Sequence, residues 1–279
     1  MRTSALQTPQ PASNTPPPPE PPPVGHRRLR LALGWGAVAL LAGHASYQGG
    51  LAFDLMTAVM WAVSVVTDAA GVPFHLDWFG MSHRLAAVAL GAGIAVATLR
   101  YQRRSRGACP RCGRHGHAAR RDLTWLIRPA SIVAAVPAIG YLALKLHWGF
   151  GGTLGLRDPA VFAGVKPWSP GMGDTAVMAL IGVLVTFAMA YQRPRLPRWL
   201  LLAPALIGCL LLLPVGGIST GYLLLVWLSG DHSAFHGDLA AWVVIAVYPS
   251  FLIWGVGLAV VTVGFYFQTR RSCRRCGRG

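Results

Sequence analysis

The feature that most limits what this chain can fold into is a series of long, almost uncharged apolar stretches, each closed off by a short cluster of arginines. A bilayer core needs about 20 apolar residues in a helix that satisfies its own backbone hydrogen bonds. The stretches that meet this demand lie near residues 31–47, 85–100, 123–147, 174–191, 199–227 and 239–267. We therefore expect an all-α integral membrane protein with six transmembrane helices, arranged as three hairpins, over residues 26–268. One further apolar stretch, 51–70, carries Asp54 and Asp68 and has a shorter uncharged centre. We assign it as interfacial or re-entrant, because a full crossing there would place the Arg27–Arg30 and Arg100–Arg106 clusters on opposite sides.

Charge sets the orientation. The formal net charge is +16, with only 12% charged residues, about half the share usual in a soluble domain. A balance this basic can signal nucleic acid, but these arginines sit at the ends of apolar runs, where membrane topology puts them. We read no nucleic-acid partner from them. Of the 25 Lys and Arg, all but Arg84, Lys145, Arg157 and Lys166 fall in segments assigned to the inside. The expected location is an inner or plasma membrane, multi-pass, with both termini cytoplasmic. The Arg-rich inner face would meet anionic lipid head groups as well as the bilayer itself. Residues 1–25, rich in proline and poor in apolar residues, read as a disordered cytoplasmic tail. A retained first helix, rather than a cleaved leader, follows that tail.

Two cysteine pairs stand out. Cys109-Pro110-Arg111-Cys112-Gly113 lies in a basic cytoplasmic loop, 103–121, and Cys273-Arg274-Arg275-Cys276-Gly277 in the tail, 269–279. Cys-x-x-Cys-Gly is the form of a zinc knuckle, and two knuckles supply the four thiolates of a closed tetrahedral site. The expectation is a structural zinc clasp on Cys109, Cys112, Cys273 and Cys276, holding the C-terminal tail to the loop. Cys-Pro-x-Cys also occurs in redox sites, but a loop of this length leaves no room for the βαβ setting such a thiol needs. His115 and His117 are spare donors beside the first pair.

Three further features bear on function. His44, His75, His83, His147, His232 and His236 fall on the outer side, with Asp231-His232 and His236 near Asp238. His232 and His236 at i, i+4 would share a helix face, so Asp231, His232, His236 and Asp238 are the candidate catalytic residues of a membrane-embedded enzyme. Pro214, Gly216, Gly217, Ser219 and Thr220 interrupt the fifth span at mid-depth, as broken helices do along a substrate path. Lys145, one turn from the outer end of its helix, is expected to snorkel to water. Three helix ends share an aromatic-Gln signature, Tyr101-Gln102, Tyr191-Gln192 and Phe267-Gln268, at uneven spacing. The chain holds no phosphate-binding Gly loop, no dinucleotide fingerprint and no His-Glu-x-x-His. The reading that results is a transporter- or channel-like membrane protein of unknown substrate. A membrane-embedded enzyme and a non-catalytic scaffold or regulator are the alternatives.

Overall fold

A computed structural model of the chain describes residues 24–46, 77–109, 111–113, 122–167, 171–191, 196–230, 237–270 and 273, together with part of 50–61. Six long helices dominate: α1 (Val24–Ser46), α2 (Trp78–Arg104), α3 (Thr124–Gly149), α4 (Gly173–Tyr191), α5 (Arg198–Ser229) and α6 (Ala241–Thr269). All six are long and apolar enough to cross a membrane. The chain is therefore read as a polytopic, all-helical membrane protein whose apolar surfaces suit contact with a bilayer. The lengths run from 19 residues in α4 to 32 in α5. At 1.5 Å per residue, α5 outreaches a ~30 Å hydrocarbon core and α4 just fills it.

The helix α2 begins earlier than its apolar run suggests. Asp77 caps it, its Oδ1 accepting the Gly80 amide at 2.9 Å, and the polar residues Ser82, His83 and Arg84 lie within the helix. An apolar-run criterion misses such a start, because the cap is polar and Arg84 is neutralised by a partner distant in sequence. That partner is Asp54. Arg84 Nη1 reaches both carboxylate oxygens at 2.6 Å, with the two side chains only 15% and 14% exposed. Removing one member of a buried pair strands the other, at a cost of about 3–5 kcal/mol. Arg84→Ala is accordingly expected to lower the thermal midpoint of the micelle-purified protein by several degrees. Asp54→Asn added to it should recover part of the loss, since no lone carboxylate then remains; equal midpoints for Arg84→Ala and wild type would refute this.

The helices α1 and α2 pair antiparallel. Arg27 Nε donates to Ser105 Oγ at 3.0 Å, so the chain between Ser46 and Asp77 leaves and re-enters at the same end of this pair. The other four helices form a bundle centred on α6, which packs closely on α3 and α5, while α4 lies mainly on α3. Its core is small and tightly filled: Ala134, Ala135, Ala138, Ala179, Ala190 and Ala205 sit among Ile127, Met189, Leu258 and Val261. Small residues suit this site, because helices in lipid gain from close van der Waals approach rather than from apolar transfer. A side chain at Gly257 would press on the backbone of Ala130 and Ala134 in α3. Buried Ser131, Thr186 and Thr262 bond to carbonyls of their own helices at 2.6–2.7 Å, so they add no unsatisfied hydroxyl.

Between the α1–α2 pair and the bundle, helix packing among the described residues is slight, and its largest part is α1 against α5. At the end opposite the α2 C-terminus, the α3–α4 connection folds over the bundle. It holds a short 3-10 turn, Pro159–Phe162, and is stitched to the α5–α6 connection by Arg157 N to Asp238 O and Ala240 N to Gly155 O, both 2.8 Å. Beneath lie Trp148, Met172 and Val243, all buried, with Phe162 and Val165 against them.

Candidate metal centre

The centre starts where α2 stops. The helix ends in a Schellman arrangement, with Ala108 N bonded to Arg103 O at 2.9 Å and Gly107 N to Arg104 O at 3.0 Å. This turns the chain back over the last helical turn and buries Cys109, leaving it 8% exposed. The next four residues close tightly: Gly113 N donates to Cys109 O at 2.7 Å. Gly113 has φ +73°, a conformation a side chain resists, which accounts for the glycine after the second cysteine. Two arginines brace the turn through its carbonyls. Arg103 Nη1 donates to Arg111 O at 3.0 Å from the end of α2, and Arg270 Nη1 to Cys112 O at 3.4 Å from the end of α6.

Cys273 then comes in from α6. The sulfur atoms of Cys109, Cys112 and Cys273 all lie within 4.8 Å of one another. Four sulfurs around zinc at ~2.3 Å stand about 3.8 Å apart, so these three need close by no more than about 1 Å to ligate one ion. The donors are all soft sulfur, with Arg103 and Arg270 beside them to offset thiolate charge. The set is close enough to bind a metal, and it is the only such group among the described residues. Cys276 and Arg274, Arg275 and Arg278 lie outside the described residues, as do His115 and His117.

The same end of the molecule holds contacts that motif reading did not find. In each hairpin an arginine near the start of the outgoing helix lies over a tyrosine at the end of the returning one: Arg30 on Tyr101 at 5.9 Å, Arg128 on Tyr191 at 5.7 Å, and Arg198 on Tyr266 at 4.6 Å. The aromatic-Gln endings were the visible signal for the first two clamps; in the third the clamped ring is Tyr266, one residue before the Phe267-Gln268 ending, and Phe267 lies under Arg270 instead. Gln268 has its own task, bonding Asp122 Oδ1 at 3.3 Å and Thr124 Oγ1 at 3.4 Å, which ties the end of α6 to the start of α3. The Thr124 hydroxyl, then the Thr124 amide and the Arg128 charge hold the Asp122 carboxyl below the usual range.

The other candidate residues are less gathered. Asp231, His232 and His236 lie outside the described residues, with His75. Asp238 is exposed and contributes its backbone carbonyl to the Arg157 contact. His147 Nε2 accepts the Leu154 amide at 3.1 Å, and His83 packs edge-on against Phe79. Around Pro214 the helix α5 runs unbroken. Gly216 is buried against α6, where a Cβ would overlap the backbone of Phe251 and Leu252. A Cβ at Gly217 would meet nothing within 4 Å, while the Thr220 hydroxyl is buried and makes no hydrogen bond. Lys145 does not end in open solvent: its ammonium donates to Gly171 O at 2.7 Å.

Comparison with protein-family models, curated proteins and solved structures finds no match to this chain.

Proposed function

We propose that this chain is a transporter- or channel-like protein of an inner or plasma membrane, with both termini cytoplasmic and a four-thiolate zinc clasp on the cytoplasmic side. The observation that carries the reading is the division into an α1–α2 hairpin and a four-helix bundle that touch little along their helices. Two bodies of this kind can rock against each other, which is how alternating access is achieved in many carriers. In this reading Cys276 joins Cys109, Cys112 and Cys273, and zinc ties α2 to α6 at one end while leaving the seam free elsewhere. The seam follows α5, the helix that meets α1. Pro214, Gly217, Ser219 and Thr220 would supply the polar and unobstructed part of the path, with Gly216 as the fixed crossing on α6. The 51–70 segment would lie at the outer interface, and residues 1–25 would remain a disordered tail. Arg30, Arg128 and Arg198, held over tyrosines, would present guanidinium edges to anionic lipid head groups.

Flux through reconstituted liposomes tests this. Purified protein should pass at least one solute of a labelled panel of ions and small organic molecules faster than protein-free vesicles do. Gly217→Leu should cut that flux at least tenfold in a protein that still unfolds cooperatively. Wild-type flux equal to empty vesicles across the panel would remove the transport reading.

A further inference from the structure

The far end of the bundle, beneath the folded α3–α4 connection, holds a group of side chains that neither the clasp nor the α5 seam uses. Lys145 Nζ sits at its centre. It donates to Gly171 O and faces two aromatic rings, Tyr141 at 5.5 Å and Trp148 at 5.7 Å from the ring centroids. Both rings are held. Trp148 is 4% exposed and its indole nitrogen donates to Leu154 O at 2.9 Å; Tyr141 packs edge-on against Phe251 of α6 at 5.1 Å. Asp174, at the start of α4, lies within electrostatic reach of both Lys145 and Tyr141. Its Oδ1 is buried and accepts no hydrogen bond, and Lys145 makes no direct ion pair with it.

A backbone carbonyl, two aromatic faces and a carboxylate are the groups that recognise an ammonium ion. Here the carbonyl and both rings meet at one point, with the carboxylate within electrostatic reach of it, and the ion occupying that point is the end of a side chain. The unsatisfied Asp174 oxygen is the more informative part, since a buried acceptor without a donor is destabilising. An occupant able to bond both Gly171 O and Asp174 Oδ1 would relieve it, and a tethered lysine at this position does not. The connection above is held by two backbone bonds to the α5–α6 connection and by Phe162 and Val165 packed on Trp148, Met172 and Val243. We propose that this is a binding site for a small primary alkylammonium, with the Lys145 side chain as its resident occupant, displaced when the external amine enters. The assignment rests on this geometry alone and does not depend on the transport reading or on zinc.

The test is thermal unfolding of the full chain in micelles with methylammonium chloride, against sodium chloride at equal ionic strength. Binding to the folded state alone makes the midpoint rise with ligand concentration. The wild type should show a saturable rise with methylammonium and none with sodium, and Asp174→Asn should abolish it. Lys145→Met, which empties the cage, should bind methylammonium at least tenfold more tightly. A flat wild-type response overturns the proposal even if Lys145→Met is rescued by the amine, because rescue alone is what a purely structural lysine gives. A wild-type rise that survives Asp174→Asn also overturns it.

Discussion

Purified without chelators, the wild-type protein is expected to carry about one zinc ion per chain, and the Cys109→Ser, Cys273→Ser double variant none. The physical case rests on the close approach of three soft sulfur donors, Cys109, Cys112 and Cys273. Zinc held by four thiolates is bound tightly, with apparent free energies of about 10–16 kcal/mol in zinc-finger peptides near neutral pH. Unlike a zinc finger, this chain does not need the metal to form its helices, because each helix satisfies its own backbone in lipid. The loss should therefore fall on the register of α2 against α6. Spin labels near the ends of these two helices should report one narrow distance in the wild type, and a broadened distribution in the double variant or after strong chelation. Metal content unaffected by the double substitution would eliminate the clasp. A full zinc complement with an unchanged distance distribution on its removal would leave the ion bound but deny it the tethering role.

The second large effect is expected at Gly216, where leucine should be at least about 3 kcal/mol destabilising, whereas the same change at Gly217 should alter stability by no more than about 1 kcal/mol. The two glycines are adjacent on one helix, share its propensities and sit at the same depth. What separates them is the partner. Gly216 meets the backbone of Phe251 and Leu252, which cannot rotate aside as a side-chain tip would, whereas Gly217 has open space. Overpacking is costly when the obstacle is main chain, since α5 and α6 must then move apart along their whole contact. Thermal unfolding of the two variants side by side is the measurement. Equal stability of Gly216→Leu and Gly217→Leu would show that α5 and α6 do not cross at this point.

How much of this was legible beforehand differs between features. The helices were, because a bilayer leaves an apolar stretch of about 20 residues little alternative. The start of α2 was not, since Asp77 and Arg84 are polar and only the Asp54 contact explains why an arginine belongs there. The first cysteine turn was legible as a motif, down to the glycine that its φ requires. Lys145 illustrates the opposite limit. By sequence it is a lysine near a helix end, and its lasting contacts come from Gly171, Tyr141 and Trp148, the first of them on the far side of a connection.

By itself the sequence determined the kind of molecule: helical, multi-pass, arginine-rich at the ends of its apolar runs, with two cysteine pairs at a metal-ligand spacing. These are local properties, set by composition and short-range spacing. Only the tertiary structure decided that Cys273 reaches Cys109 and Cys112, that Gly216 is a crossing point while Gly217 is open, and that each hairpin is closed by an arginine over a tyrosine. Those outcomes depend on which helix face meets which neighbour. In α1–α6 the apolar residues run all the way round, so hydrophobic pattern does not select a face; close packing of small residues does, and that is visible only once the helices are together.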